Sequence, residues 1–177
     1  LSPFVGLLGT ARMGLMELHL FCSSSNRAMT LPCFHLSIPA TDLDVTERWY
    51  REGLGCSVGR RNAHALILNL SGHQLVAQCS PAGDLPLQQS IYPRHFGLVC
   101  DTLDEWKRIL ARAQRAGLRF GVEPKLRFPG DVLEHHTFFL IDPDHHWLEF
   151  KHYSHPEAIF GCRDRVAVGD ADLRVDR

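Results

Sequence analysis

No stretch of this chain approaches the roughly 18 consecutive apolar residues that a membrane-spanning helix needs, so no membrane association is expected. Neither sign of charge dominates. Lys and Arg number 19 and Asp and Glu 20, a formal net charge of −1. Holding nucleic acid by its phosphates takes a clustered cationic excess, so this balance argues against such a partner. No two of the six cysteines, at 22, 33, 56, 79, 100 and 162, form a C-x-x-C pair, which weakens zinc-ribbon and thioredoxin-like readings. Cys33, Cys56, Cys79 and Cys100 fall in or beside apolar runs, where a free thiol behaves as a small hydrophobe. Free thiols in a reducing, cytoplasmic compartment are therefore expected.

What the chain does contain is a repeat. His35 is followed eight and nine residues later by Leu43-Asp44, and His95 at the same spacing by Leu103-Asp104. Each His opens a short apolar run. After each Leu-Asp comes an amphipathic stretch ending at Gly-Leu, Gly53-Leu54 and Gly117-Leu118. A unit of roughly 60 residues thus occurs twice. If the two copies pack face to face, their histidines meet at one point.

Both copies read β-α-β-β-β. In the first, Cys33 to Ile38 alternates as a strand, Thr41 or Asp42 caps a helix, and Gly53 is placed to end it. Strands follow at 56–60, 63–70 and 73–79. In the second, His95 to Cys100 is the strand and Thr102-Leu103-Asp104-Glu105 is a capping box. Leu103, Trp106, Leu110 and Ala113 carry helical spacing to a stop at Gly117. Strands follow at 118–124, 137–141 and 147–153, with residues 125–131 expected as a loop around Phe-Pro-Gly. The fold class is α+β. The domain is expected over 32–160, as module one (32–80), a Pro- and Gln-containing linker (81–93) and module two (94–160). Residues 1–31 are expected to be a poorly ordered or upstream leader, with Met29 the real start, and 161–177 a loose tail.

A lone histidine on an apolar strand is usually a core residue. Two at matching repeat positions, with Glu149 inside the apolar run Trp147-Leu148-Glu149-Phe150, point instead to a metal, because a carboxylate in such a strand is costly to bury alone. Most of the other histidines read as surface or loop residues. One of them could handle protons near neutral pH.

These pieces resemble the vicinal oxygen chelate superfamily of glyoxalase I, extradiol dioxygenases, fosfomycin-resistance transferases and bleomycin-binding proteins. The resemblance rests on His35 with Ile38, Trp49-Tyr50 with Gly53-Leu54-Gly55, Gly72-His73-Gln74, His95 with Leu98, and Asp142-Pro143-Asp144 with Leu148-Glu149, and covers about residues 32 to 160. It implies two tandem βαβββ modules forming an eight-stranded cup, with a divalent metal held by His35, His95 and Glu149. Val76 takes the place that Glu149 holds in the other module, which departs from glyoxalase I. Two imidazoles and one carboxylate leave coordination positions open and suit Fe(II) oxygen chemistry, with Mn, Zn or Ni as alternatives. The resemblance therefore implies an extradiol-type dioxygenase for a small molecule with vicinal oxygens. A glyoxalase-like lyase or thiol transferase is the second reading, and a metal-free drug-binding protein the third. His136 and Tyr153 are the candidate catalytic residues. Gln74, Gln78 and Phe139 are the candidate substrate contacts. A homodimer is expected, with the modules paired within one chain or exchanged between two.

Overall fold

The computed structural model describes residues 32–81 and 87–169. The expected leader, the middle of the linker and the last eight residues of the tail lie outside the described residues.

The described residues form two α+β modules of the same order. The first is β1 (His35–Ala40), α1 (Leu43–Arg48), a π-helical turn (Trp49–Leu54), β2 (Ser57–Arg61), β3 (Ala65–Leu70) and β4 (His73–Cys79). The second is β5 (Phe96–Val99), α2 (Leu103–Arg115), β6 (Phe120–Arg127), β7 (His135–Ile141) and β8 (Trp147–Tyr153). Each module makes one four-stranded sheet, ordered β1-β4-β3-β2 and β5-β8-β7-β6. In each, the helical crossover makes the outer pair parallel and the remaining pairs are antiparallel. This is the tandem βαβββ arrangement that the repeat implies.

The two-residue period of a strand separates the faces. Ile38, Leu66, Leu68, Leu75, Phe138, Leu140, Leu148 and Phe150 turn toward the helices and join Tyr50 and Trp106 in one shared core. The other faces differ. On sheet one, His35, Ser37 and Gln78 are exposed. On sheet two, Ile91 from the linker packs on Phe139, Ile141 and Trp147, with Tyr92 and Val122 beside them.

Asp42, not Thr41, caps α1, its carboxylate accepting the N–H groups of Asp44 and Val45 at 2.8 and 3.1 Å. The expected stop at Gly53 is corrected. The helix widens into a π turn, and Gly55, at φ 79°, ends it. Gly53 is small for another reason: a Cβ there would lie 2.6 Å from Leu118 Cδ1, so glycine lets the two modules approach. The expected loop at 125–131 is also corrected. β6 continues to Arg127, with Lys125 opposite Thr137 and Arg127 opposite His135. Pro124 is accommodated by a register shift on an edge strand, where a missing N–H is tolerated. Five cysteines are free, and Cys22 lies outside the described residues. Among the described residues no helix is long and apolar enough to cross a membrane.

Candidate functional site

Glu149 sits in the middle of β8, between Leu148 and Phe150, which face the core, so strand alternation turns its carboxylate to the opposite face. Its side chain is 7% exposed. Such burial is tolerable only with partners. Thr137 Oγ1 donates to Oε1 at 2.8 Å, Lys151 Nζ to Oε2 at 3.1 Å, and His95 Nε2 lies 3.3 Å from Oε2. Burial pushes the Glu149 pKa up, but the His95 contact, the Lys151 charge and the Thr137 hydroxyl outweigh it and hold the carboxyl below its ordinary value. The strand beside it must be bare. A Cβ on Gly97 would lie 1.7 Å from the Glu149 carbonyl oxygen, so only glycine lets β5 lie against β8 there.

His95 immediately precedes β5. Its Nδ1 lies 2.7 Å from the Ile91 carbonyl oxygen, which can only accept, so Nδ1 carries the proton. Nε2 then turns toward Glu149. A bare lone pair facing a carboxylate oxygen is repulsive, so this arrangement calls for a second proton on Nε2 or a cation between the two groups. The electrostatics of the site favour the first. The hydrogen bond to Glu149 raises the His95 pKa above its ordinary value, against the opposing effect of burial. The second fits the spacing. Adjacent ligands about 2.1 Å from one ion stand about 3 Å apart at right angles. The 3.3 Å between Nε2 and Oε2 is compatible with that spacing and equally with a direct hydrogen bond. The Ile91 carbonyl meanwhile fixes the ring, as partners behind metal-binding histidines do.

His35 is held the same way in sheet one, its Nδ1 2.7 Å from Gln74 Oε1. It does not join the other two: among the described residues, no three His, Cys, Asp or Glu stand close enough to share a metal. The structure brings together His95 and Glu149 and leaves His35 apart on an exposed face. Gln78 lies on that same exposed face, two positions past Val76. Phe139 is opposite Glu149 in register, 1% exposed, with its ring 5.4 Å from His95. Tyr153 shares the Glu149 face, and its ring lies 4.7 Å from that of His135. His136 is a correction. Strand alternation turns it to the helix side, where its ring lies 5.2 Å from Trp106, so it does not face Glu149.

Three residues on the Glu149 face are absent from the expected set. Lys151 was legible by parity, two positions past Glu149. Thr137 and His135 come onto this face only through the β7–β8 register, which no local pattern states. Beside His95, between β1 and β5, lies a cavity of about 270 Å³ lined by Leu36, Ile38, Phe96 and Trp147 together with the polar Arg94 and Asp144. On the far side of the β7–β8 turn, Asp142 is satisfied throughout. It accepts the Tyr50 hydroxyl at 2.9 Å, His146 Nδ1 and the N–H groups of Asp144 and His146, which makes the Asp-Pro-Asp turn a structural joint.

The class is thus a paired βαβββ protein with an imidazole and a carboxylate converging in its second module. The chain belongs to the Glyoxalase/Bleomycin resistance protein/Dioxygenase superfamily, whose family model matches residues 33–150. A glyoxalase/bleomycin resistance protein/dioxygenase from Alicyclobacillus acidocaldarius is 38% identical, with a TM-score of 0.67 over 73% of this chain and 96% of that one. The fosfomycin resistance protein FosX from Listeria monocytogenes is 15% identical, with a TM-score of 0.56 over 73% and 99%. A lactoylglutathione lyase from Agrobacterium tumefaciens is 16% identical, with a TM-score of 0.52 over 68% and 92%. The last two are likenesses of fold alone. Among curated proteins none matches the chain.

Proposed function

We propose that this chain is a metal-dependent enzyme, a non-haem Fe(II) extradiol-type dioxygenase for a small molecule with vicinal oxygens. The observation that carries this reading is His95 Nε2, turned on Glu149 Oε2 at 3.3 Å by a carbonyl that claims its other nitrogen. His35 completes the ligand set from a second copy of the chain, since it stands apart within one copy and its face of sheet one is open. The working form is therefore a homodimer, in the reducing, cytoplasmic setting that free cysteines favour. His₂-carboxylate coordination suits Fe(II), and the same donors take Mn, Zn or Ni. When bound, the ion supplies Lewis acidity toward two adjacent substrate oxygens and a position for O₂.

The remaining residues have separate tasks. Gln74 fixes the His35 ring, and Gln78 offers a hydrogen bond on the same face. Phe139 walls the site beside His95. The cavity next to His95, lined by both apolar and polar side chains, is large enough for one aromatic ring, since a space of about 150 Å³ holds benzene. For proton handling, Tyr153 and the neighbouring His135 stand on the Glu149 face.

The test is metal content after purification without oxygen. Wild-type protein is expected to hold about one iron per chain, and Glu149→Ala to lose it along with activity toward catechols. Iron retained by a folded Glu149→Ala protein would falsify this reading.

A further inference from the structure

The helical segments of the two modules end alike. Arg48-x-x-Arg51-x-Gly53-Leu54 in module one returns as Arg112-x-x-Arg115-x-Gly117-Leu118 in module two. The two ends meet where Gly53 admits Leu118, and at that contact lies an open groove of about 650 Å³. Arg48, Trp49 and Gly53 line it from one module and Arg112, Arg115 and Leu118 from the other, with Pro143 of the β7–β8 turn beside them. The groove is on the helix side of the sheets, whereas Glu149 faces the opposite side of sheet two.

The positive charge in this groove is not compensated. Arg51 pairs with Glu47 and Glu52 at 3.4 and 3.3 Å, and Arg61 pairs with Asp44 and Glu47. Among the described residues, no ion pair joins Arg48, Arg112 or Arg115 to a carboxylate. Glu52 lines the groove, but it is the carboxylate that Arg51 takes. The carboxylates of the neighbouring turn are engaged as well, Asp142 with Tyr50 and His146 and Asp144 with Thr41. Asp42 is held by the N–H groups of Val45 and Asp44, and Arg48 acts on it only as a more distant charge. Arg112 is also placed. Gly55 comes so close that a Cβ there would stand 2.7 Å from Nη1, so the guanidinium lies against bare backbone. A cation in the last turn of a helix complements its carbonyl end, which accounts for an arginine at each position. It does not account for three of them lining one concave surface from two modules without a carboxylate partner.

We propose that this groove is a binding site for a small molecule carrying a diphosphate group. The planar guanidinium fork takes phosphate oxygens two at a time. A phosphate carries roughly 1.5 to 2 negative charges near neutral pH, so two linked phosphates match three arginines where one carboxylate does not. Bound there, the anion ties the end of the first helical segment to the end of α2 and so one module to the other. The site needs no metal at Glu149.

The test is calorimetric titration of the full-length protein with pyrophosphate, ADP and sulfate at equal ionic strength. Pyrophosphate is expected to bind about tenfold more tightly than sulfate or better. Arg48→Gln, Arg112→Gln and Arg115→Gln should each weaken it about tenfold, the loss of one charge-assisted contact. Arg60→Gln removes an exposed cation outside the groove and should leave the affinity within about twofold, as should Glu149→Ala. ADP that binds as tightly as pyrophosphate assigns the site to a nucleotide, and weaker ADP binding assigns it to the free diphosphate; either supports the proposal. Pyrophosphate that binds no better than sulfate overturns it. So does affinity that falls in Glu149→Ala but not in the groove variants, because the anion then follows the other face. The three arginines are exposed, and if one variant does not fold the other two decide.

Discussion

Glu149 shows how one buried carboxylate organises its surroundings. It draws a hydroxyl and an ammonium from two strands, β7 and β8, and an imidazole from the segment leading into β5, each within hydrogen-bonding range. Histidines elsewhere on module two respond to burial in the opposite direction. Burial and the nearby His152 hold the His136 pKa below its ordinary value. The unfolded chain binds this proton below about pH 6.5, while the fold refuses it until a lower pH. Stability from His136 is thus fully present above that value and is lost as the pH falls from it toward the folded pKa. His135, depressed by burial, acts in the same sense, and His95, whose pKa is raised, opposes both. The melting temperature of His136→Gln should therefore drop less than that of wild type between pH 7.5 and 5.5. An equal drop in the two proteins would mean that His136 titrates normally in the fold.

Among the elements, β5 is the most constrained. It is four residues long and carries no carboxylate or metal ligand of its own, yet its contact with β8 sets His95 against Glu149. Gly97 is the point of closest approach. The clash predicted for a Cβ there is with backbone, which cannot turn aside as a side chain can. Gly97→Ala should part β5 from β8, costing about 3 kcal/mol or more in chemical denaturation. Metal affinity should fall further than the loss of stability accounts for. A variant with wild-type stability and metal affinity would show that the strands part without consequence. The helices carry different burdens. α2 reads plainly from its spacing and its Thr102 cap. α1 does not, because its passage into a π turn serves packing: Tyr50 must be fully buried to reach Asp142, and Gly53 must meet Leu118.

The whole molecule presents two unlike faces from two like modules. Sheet two is covered by Ile91 and Tyr92, and sheet one is open around His35. If two copies exchange modules, chains carrying His35→Ala and chains carrying Glu149→Ala rescue each other. Each alone should hold no metal. Refolded together in equal amounts, half of the dimers are mixed and each mixed dimer has one intact site, so the mixture should hold about a quarter of the wild-type metal. A mixture as empty as either parent would place the complete site within one chain.

The sequence by itself determined the two βαβββ modules, because strand and helix periods, caps and glycine stops are local and recur at matching positions. It also determined that His95 and Glu149 are the residues to watch, since a histidine repeated in register and a carboxylate in an apolar strand are each visible along the chain. Only the tertiary structure decided which residues surround them. Thr137 and Lys151 reach Glu149, and His136 turns to Trp106, because of how β7 and β8 are registered, and a shift of one residue would reverse every face. The separation of His35 from that pair was equally invisible in the sequence. A repeat states that two modules are alike, but their packing on one shared core decides which faces meet.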